Sequence, residues 1–436
     1  MNKVAKNAAW IIACKIVQSL LAFVIGMLTA RYLGPANYGL ITYASSLVAF
    51  VAPVMQLGFS NILVREIVEN PDSEGERLGT AMLLSLISSA ACIVGVTLFA
   101  AIANENEPTT VLVCFLYSLI LLFQAIEHIN YWFQAKYLSK YTSIISLCAY
   151  VVVSAYKIFL LATRKSIYWF ALTNALDALL IAVGVAVFYR RLGGQKLRFS
   201  LRVGKQMFER SRHYIVSSMM VTVFAQTDKI MLKAMLGSAE TGYYGAALTC
   251  AGITGFVFPA IIDSFRPSIF EGKQLGEEVF ERRLTMLYAI VIYLSLMQSV
   301  GIAVFAKLIV RIIYGAAYAP AGSALRTVVW YSTFSYLGSV RNVWILANNQ
   351  QKHLWKINLS GATANVLLNA LLIPVWGING AALASLATQF FTNVVTGYIL
   401  KPIRGNNAIM LRGCDPKYVA EAVRQIIPSS KRNEKT

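Results

Sequence analysis

Continuous apolar segments constrain the fold of this chain more than any other feature of its sequence. They recur from end to end and run for about 20 residues each, the length that crosses a hydrocarbon layer about 30 Å thick. Of the 436 residues, 57% are hydrophobic and 14% are charged, whereas a soluble domain carries about 25% charged residues. The segments lack the alternation of a barrel strand, so we predict an all-α polytopic membrane protein.

The apolar pattern predicts twelve transmembrane helices joined by mostly short polar connections. The first segment is too long for the apolar region of a signal peptide and lacks a convincing small-residue cleavage site, so we expect it to remain as the first span. The predicted spans are 8–30, 40–62, 79–103, 109–133, 139–162, 166–188, 213–236, 243–264, 285–306, 320–346, 354–374 and 377–400.

The net charge of +19 is unevenly distributed between the two sides that these spans define. Most Lys and Arg residues fall in the N-terminus, the inner loops and the C-terminal tail. This asymmetry is the positive-inside pattern, which predicts that both termini are cytoplasmic. It also predicts contact with anionic lipids rather than with nucleic acid. The basic residues of the predicted outer loops are Arg31, Arg164, Lys165, Lys307 and Arg311.

A short repeat divides the chain into two halves. "LGPANYG" begins at residue 33 between the first two spans, and "LGSAETG" begins at residue 236 between spans seven and eight. Each half contains six spans and therefore starts on the inner side, so the repeat is parallel, with its axis along the membrane normal. The predicted domains are an N-terminal six-helix lobe at 1–188, a basic cytoplasmic linker at 189–212, a C-terminal six-helix lobe at 213–400 and a basic cytoplasmic tail at 401–436.

The glycines of both repeats suit tight turns that need positive φ, and Pro35 would fix one corner of the first turn. Arg31 lies just before that turn, where it would face the exit of an outward gate. A role in packing alone is the alternative for these hairpin residues.

Charged residues inside the spans are the strongest functional signal, because an ionised side chain near a helix centre costs about 2.5–3.5 kcal/mol. Basic residues outnumber acidic ones there, and a cavity lined by several cations would favour an anion such as a diphosphate. Lys15 and Arg341 are the best candidates, since neither has an obvious acid nearby in its own helix. Amides that could bind sugar hydroxyls, or instead hold helices together, are Asn358, Asn365, Asn369, Gln389 and Asn393.

Acidic residues in the spans are candidates for coupling transport to an ion gradient. We name Asp228, Asp177 and Glu127 for this role, although Asp228 could equally pair with Lys229 inside the bundle, and Glu127 could lie near the inner surface. The six cysteines and three histidines show no metal-ligand spacing, so we expect neither a metal nor a cofactor.

Four segments carry a resemblance to a known family: "LTARYLGPANYGLITYASSLVAF", "LGFSNILVREI", "TDKIMLKAMLGSAETGYYGAAL" and "IIYGAAYAPAG". They resemble the Wzx-type flippases for O-antigen, capsule and exopolysaccharide. These belong to the multidrug/oligosaccharidyl-lipid/polysaccharide exporter superfamily, together with MurJ and the MATE exporters. The resemblance implies a V-shaped bundle of two lobes around a cationic cavity. The implied activity moves an undecaprenyl-diphosphate-linked oligosaccharide from the inner to the outer leaflet by alternating access.

The family pattern implies roles for four residues: Arg31 in the first hairpin, Arg65 in "LVREI", and Asp228 with Lys229 in "TDKIMLKAMLG". Lys15 occupies the first helix, a region in which MurJ carries several arginines. Arg266 pairs with Asp263 at the inner end of the eighth span and completes the predicted cationic set of Lys15, Arg31, Arg65, Lys229, Arg266 and Arg341.

Three other functions remain as alternatives. A MATE-like exporter of small cations predicts an acidic cavity, whereas these spans lean basic. A membrane-embedded glycan polymerase usually needs a large outer loop, and every predicted outer loop is short; a structural scaffold does not account for the buried charges. The chain is therefore expected to be a transporter and not an enzyme, working with membrane lipids, glycosyltransferases and a polysaccharide polymerase.

Overall fold

The computed structural model describes residues 3–426, and side-chain surroundings within residues 14–422. Its regular structure is helical throughout this range, as the apolar segments predict. The α-helices are α1 (Lys3–Met55), α2 (Leu63–Glu69), α3 (Glu74–Ala103), α4 (Pro108–Ser118), α5 (Ile120–Ile126), α6 (Ile129–Ala135), α7 (Ser139–Ala162), α8 (Ile167–Arg191), α9 (Leu201–Leu236), α10 (Ser238–Ala251), α11 (Val257–Leu275), α12 (Glu277–Tyr314), α13 (Ala321–Ala347), α14 (Leu354–Phe390), α15 (Thr396–Ile399), α16 (Arg404–Arg412) and α17 (Lys417–Ile426).

Within the described range, eight helical segments are long and apolar enough to cross a membrane. Two of them are interrupted hairpins. Gly34 divides α1 with φ 72° and ψ 172°, and Gly377 divides α14 with φ 57° and ψ −133°. These are conformations that glycine adopts without a Cβ clash. The chain is thus a multi-pass helical membrane protein, and the count of twelve spans stays a prediction.

The chain divides into two compact units, Met1–Gly242 and Tyr243–Thr436. Helix α9 belongs to the first unit because it packs along α1 and α3. The predicted linker at residues 189–212 ends inside α9, whereas the boundary between the two units follows Gly242. The division into six-helix lobes stays a prediction.

The first unit has two main clusters of buried apolar side chains. One lies among α1, α4 and α8 and is built on Tyr43, Val113 and Phe170. The other lies among α2, α3, α6 and α8, where Phe59 and Trp132 pack with side chains of α3 and α8. Trp132 also meets the ring of Tyr189 edge-on at 4.9 Å.

The segment between α8 and α9 is docked on the first unit along the N-terminal part of α3. The Arg198 amide donates to the Gly75 carbonyl at 3.2 Å, and the Ser200 amide donates to the Thr80 hydroxyl at 3.0 Å. A Cβ on Gly75 or Gly79 would overlap backbone atoms of this segment. The basic linker predicted at 189–212 is therefore an ordered part of the first unit over residues 192–200, and it continues directly into α9.

The second unit is built around a cluster of α11, α12, α13 and α16 side chains, including Phe280, Tyr288 and Ile345. The beginning of the predicted tail contributes to it: Ile403 and Ile409 are buried in the same cluster. The last described helix, α17, pairs through Glu421 with Arg282 at 2.5 Å. Residues 427–436 of the predicted tail lie outside the described range.

Candidate functional site

The two repeated hairpins adopt the same backbone turn. Gly34 has φ 72° and ψ 172°, and Gly237 has φ 100° and ψ −176°. The sequence expectation of positive φ is confirmed at these two glycines. It is wrong at Gly39 and Gly242, which lie within helices.

Gly39 and Gly242 instead allow the two hairpins to touch. A Cβ on Gly39 would overlap the backbone carbonyl of Ser238, and a Cβ on Gly242 would overlap the carbonyl of Pro35. The helix that contains Gly39 therefore packs against the hairpin at Ser238, and the helix that contains Gly242 packs against the hairpin at Pro35. Neither contact leaves space for a side chain at the glycine. The repeat thus forms a close backbone contact inside the first unit.

An ion pair lies on the same part of α9. Lys233 Nζ lies 3.0 Å from Glu107 Oε2, and the Lys233 side chain is only 8% exposed. The Thr110 hydroxyl donates to the same carboxylate oxygen at 2.6 Å. The Thr110 hydrogen bond and then Lys233 hold the pKa of Glu107 below its usual value, despite some desolvation. The sequence indicated a polar stripe on α9 but not this partner, which is 126 residues away in the chain.

Arg341 is the most deeply buried of the predicted cationic residues in the described side chains, with 6% exposure. Its Nη1 donates to the Thr392 carbonyl at 2.6 Å, and its Nη2 donates to Asn342 Oδ1 at 3.3 Å. Its Nε has no hydrogen-bond partner. No carboxylate within the described side chains forms an ion pair with it, so this buried cation retains capacity for an anion.

The partner carbonyl of Arg341 belongs to a π-helical turn, Phe391–Val395, that follows α14. Such turns shift the backbone hydrogen-bonding register and often occur at functional sites. Beside it, Asn393 Nδ2 donates to Gln389 Oε1 at 2.5 Å, and both side chains are buried. Gly338 of α13 packs directly on the Asn393 amide. Arg341 is therefore surrounded by amides and carbonyls.

The predicted asparagines of α14 differ in environment. Asn369 Nδ2 donates to both the backbone carbonyl and the Oδ1 of Asn365, at 2.9 and 3.1 Å, and both residues are fully buried. Asn365 Nδ2 has no hydrogen-bond partner. Asn358 is half-buried. Asn365 and Asn369 are thus interior polar groups of the second unit, and their role in sugar binding stays a prediction.

Two predicted coupling residues lie together in the first unit. Asp177 of α8 interacts electrostatically with Glu127, and also with Lys157 of α7. The Tyr150 hydroxyl is a further neighbour of Asp177, while one carboxylate oxygen, Oδ1, has no hydrogen-bond partner. His128, next to Glu127, is buried, and its Nε2 lies 3.1 Å from the Ser85 hydroxyl. Two carboxylates and one amine thus interact in the first unit, and their role in ion coupling stays a prediction.

Four further predicted residues of the first unit lie on α1 and α9. Asp228 is buried and interacts electrostatically with the half-buried Lys229. Lys15 and Arg31 are both exposed on α1. Arg341 and Arg266 belong to the other unit, so convergence of the six cations on one chamber stays a prediction.

Arg65 and Arg266 each form a local pair on their own helix. Arg65 Nε lies 2.7 Å from Glu69 Oε1, with the Arg65 side chain 79% exposed, and Arg266 Nη2 lies 3.0 Å from Asp263 Oδ1. Exposed pairs of this kind contribute about 0–1 kcal/mol. Their geometry is that of helix-surface ion pairs, and their place in a substrate site stays a prediction.

Two buried carboxylates of the first unit, Glu66 and Glu74, were missed by the sequence analysis. Glu66 is bound by Arg77 and by Arg210, whose Nη1 lies 2.6 Å from Glu66 Oε1. Glu74 accepts from the Trp132 indole at 3.0 Å and pairs with Lys136 at 2.8 Å. Glu66 sits beside Arg65 in "LVREI", and its helical spacing on the buried face of α2 was the available signal. Within the described residues, no three His, Cys, Asp or Glu side chains are grouped to hold a metal ion.

Comparison with known proteins identifies the family. The profile of the "Polysaccharide biosynthesis protein" family matches residues 4–273, more than half of the chain. The chain belongs to this family.

Two relatives carry names that describe glycan transport or synthesis. The chain is 22% identical over 399 residues to the "Putative O-antigen transporter" of Escherichia coli strain K12, a match that covers 87% of this chain and 92% of the relative. It is also 22% identical over 412 residues to the "Capsular polysaccharide biosynthesis protein CapF" of Staphylococcus aureus, covering 91% of this chain and 99% of the relative.

Solved structures show the same fold at low sequence identity. The lipid II flippase MurJ, in an inward closed conformation, superposes with a TM-score of 0.74 at 12% identity, over 92% of this chain and 90% of MurJ. An inward-facing multidrug resistance transporter of the MATE family superposes with a TM-score of 0.64 at 14% identity, over 90% of this chain and 95% of that structure. The chain therefore shares its fold with both structures.

Proposed function

We propose that this polysaccharide biosynthesis protein is a flippase. Its cargo would be an oligosaccharide linked through a diphosphate to a polyprenyl lipid, carried from the cytoplasmic to the outer leaflet of a bacterial inner membrane. The lipid would be undecaprenyl diphosphate, and the cargo would leave the protein chemically unchanged. Glycosyltransferases on the inner side would supply this cargo, and a polysaccharide polymerase on the outer side would consume it.

Arg341 is the observation that carries this proposal. An Arg buried among amides and carbonyls, without a carboxylate partner in the described part of the chain, is costly unless an anion completes it. A guanidinium matches phosphate oxygens in geometry and stays charged. The buried amides Gln389 and Asn393 nearby offer donors and acceptors of the kind that sugars need.

A protein is needed for this movement because a diphosphate and several sugars would lose their hydration in hydrocarbon. A polar passage through the protein replaces that hydration, while the lipid tail stays in apolar surroundings. Alternating access of two lobes would expose the passage to one side at a time. The Asp177, Glu127 and Lys157 group would couple this cycle to a proton or sodium gradient.

Reconstitution into liposomes tests the proposal directly. Purified protein is expected to speed the loss of a fluorescent polyprenyl-diphosphate disaccharide from the leaflet where it starts, measured by quenching with an impermeant reductant. Asp177→Asn is expected to reduce this rate when an ion gradient is imposed. No protein-dependent flux of the lipid-linked sugar would disprove the flippase proposal. A full rate after collapse of both gradients would disprove only the coupling.

The cluster of Asp177, Glu127 and Lys157 also supports a second candidate function, the export of small cations in the manner of MATE transporters. Asp177 and Glu127 would then bind the cation directly. Cells that express the protein would exclude a cationic dye such as ethidium, and Asp177→Asn would abolish the exclusion. Dye accumulation equal to that of cells without the protein would reject this candidate.

A further inference from the structure

An apolar groove of about 390 Å³ runs between α13 and the C-terminal part of α14 in the second unit. Small-molecule sites have volumes of about 300–1,000 Å³, so the groove is large enough for a segment of a lipid chain. Its lining residues are Trp330, Phe334, Leu383, Leu386, Ala387 and Phe390.

The groove is a consequence of helical spacing. Leu383, Leu386, Ala387 and Phe390 follow one another at i, i+3, i+4 and i+7, so they share one face of α14. The ring of Phe334 on α13 meets the ring of Phe390 edge-on, with centroids 5.4 Å apart. Phe390 is nevertheless 45% exposed, so the groove is accessible from outside the unit.

The groove lies on the same face of α13 as the buried cation. Arg341 follows Phe334 by seven residues, which places it on the same face of α13 about 10 Å farther along the helix. Between them, Gly338 packs on Asn393, and the Arg341 guanidinium donates to Thr392 just after Phe390. The apolar groove and a buried, positively charged polar cluster therefore lie within two helical turns of each other.

A ligand that matches this arrangement is an amphiphile with an anionic group directly attached to an apolar chain. A wholly apolar chain would leave Arg341 without an anion, and a soluble sugar phosphate would leave the aromatic groove empty. Resting on the function proposed above, the cargo itself has both parts in the required order. We propose that the groove binds the polyprenyl chain next to the diphosphate, with the diphosphate toward Arg341. The protein thus holds the start of the lipid chain as well as the head group.

Photolabelling of the full-length protein in lipid nanodiscs tests this proposal. The probe is geranylgeranyl diphosphate that carries a diazirine on its chain, and mass spectrometry locates the labelled residues. We expect labelling in the groove of α13 and α14, about tenfold stronger than that by the matching geranylgeraniol, the factor that corresponds to one charge-assisted hydrogen bond. Arg341→Gln is expected to remove this preference for the diphosphate while the groove remains labelled.

Substitutions of residues that line the groove provide a second test of the proposal. Ala387→Trp fills the groove and is expected to lower labelling about tenfold, and Leu386→Ser, which adds no bulk, is expected to lower it in the same direction. Leu371→Trp is the matched control, because Leu371 lies on the same helix, is 68% exposed and does not line the groove. This control is expected to keep the labelling of the original protein.

Three outcomes would overturn the proposal: label spread evenly over exposed apolar positions, unchanged labelling of both groove variants, or equal groove labelling by a diazirine phospholipid. The liposome flux assay separates this failure from failure of the proposed function. Flux that is normal in the original protein and in Ala387→Trp rejects the groove and retains the flippase. Absence of flux in the original protein rejects the flippase, whatever the labelling.

Discussion

The charge state of Glu107 contributes to the stability of the first unit. Its pKa in the folded protein lies below the usual value, because the Thr110 hydroxyl and Lys233 stabilise the carboxylate. A lowered folded-state pKa means that the stabilisation is present above the unfolded pKa of about 4.3. It is lost as the pH falls through the folded value.

Glu107→Gln is therefore expected to reduce the free energy of unfolding at pH 7 by about 0.2–1 kcal/mol, since the carboxylate is 45% exposed and screened by water. At pH 3, below the unfolded pKa of about 4.3, the difference from the original protein should be smaller, because protons bound by the unfolded state offset part of the stabilisation. Thermal unfolding in detergent at the two pH values measures this. Glu105→Gln, at an exposed neighbouring position, is the control; an equal pH response in that variant would contradict the assignment.

Arg341→Ala is expected to lower flux of the lipid-linked sugar by about tenfold or more, since a charge-assisted hydrogen bond is worth about 1.5–3 kcal/mol. Arg341→Lys should recover part of the loss, because a Lys keeps the charge but not the planar guanidinium. The comparison is Arg326→Ala, an exposed Arg on the same helix. Equal flux in the two Ala variants, at equal protein levels, would remove Arg341 from the site.

Sequence reasoning reached some of these residues and not their partners. Arg341 was identified because an Arg in an apolar helix without a nearby acid is unusual. Its contact with Thr392 depends on a π-helical turn, which has no clear sequence signal. The pairing of Lys233 with Glu107 depends on tertiary packing across 126 residues, which periodicity within one helix cannot indicate.

Among the helices, the contact between the two hairpins makes a sharp prediction. Gly39→Ala and Gly242→Ala would each force a Cβ into a backbone carbonyl, and overpacking of this kind costs about 1–3 kcal/mol. Gly26→Ala, on the same helix α1 as Gly39, has no atom within 4 Å of its new Cβ and should be neutral or slightly stabilising. Thermal unfolding distinguishes the two classes, and a Gly39→Ala variant as stable as Gly26→Ala would refute the close contact.

The buried carboxylate of Glu66, which pairs with Arg77 and with Arg210 of α9, gives a second prediction about the helices. Glu66→Gln leaves the largely buried Arg77 without its carboxylate, and breaking a buried pair costs about 3–5 kcal/mol. Glu69→Gln, which breaks only the exposed pair with Arg65, should cost less than about 1 kcal/mol. Equilibrium unfolding in SDS measures both. Similar losses in the two variants would show that Glu66 is not a buried anchor.

The sequence predicted that the apolar segments are helical, but it did not predict every place where a helix is interrupted. The turn at Gly34 was predicted because glycine and Pro35 punctuate an apolar pattern. The predicted span 243–264 is interrupted between α10 and α11, although its apolar residues continue through the break. The packing of Ile409 in the predicted tail also follows from tertiary contacts rather than from local composition.

For the whole molecule, orientation in the membrane is the property that the charge asymmetry predicts. In a background without the six native cysteines, Glu105→Cys should react with an impermeant maleimide in intact cells, because it lies in a predicted outer loop. Asp72→Cys, in a predicted inner loop, should react only after the cells are permeabilised; both positions are exposed. The reverse labelling would invert the predicted topology.

The hairpin contact also bears on the origin of the chain. Gly39 meets the backbone at Ser238, and Gly242 meets the backbone at Pro35. In the repeat, Gly39 corresponds to Gly242 and Pro35 corresponds to Ser238. Each of the two contacts is therefore the counterpart of the other. This reciprocity is the signature of an isologous interface, the kind that two identical subunits form across a two-fold axis. Two copies of a half-length ancestor would meet through one and the same surface, so that gene duplication and fusion would preserve an interface that a homodimer already had.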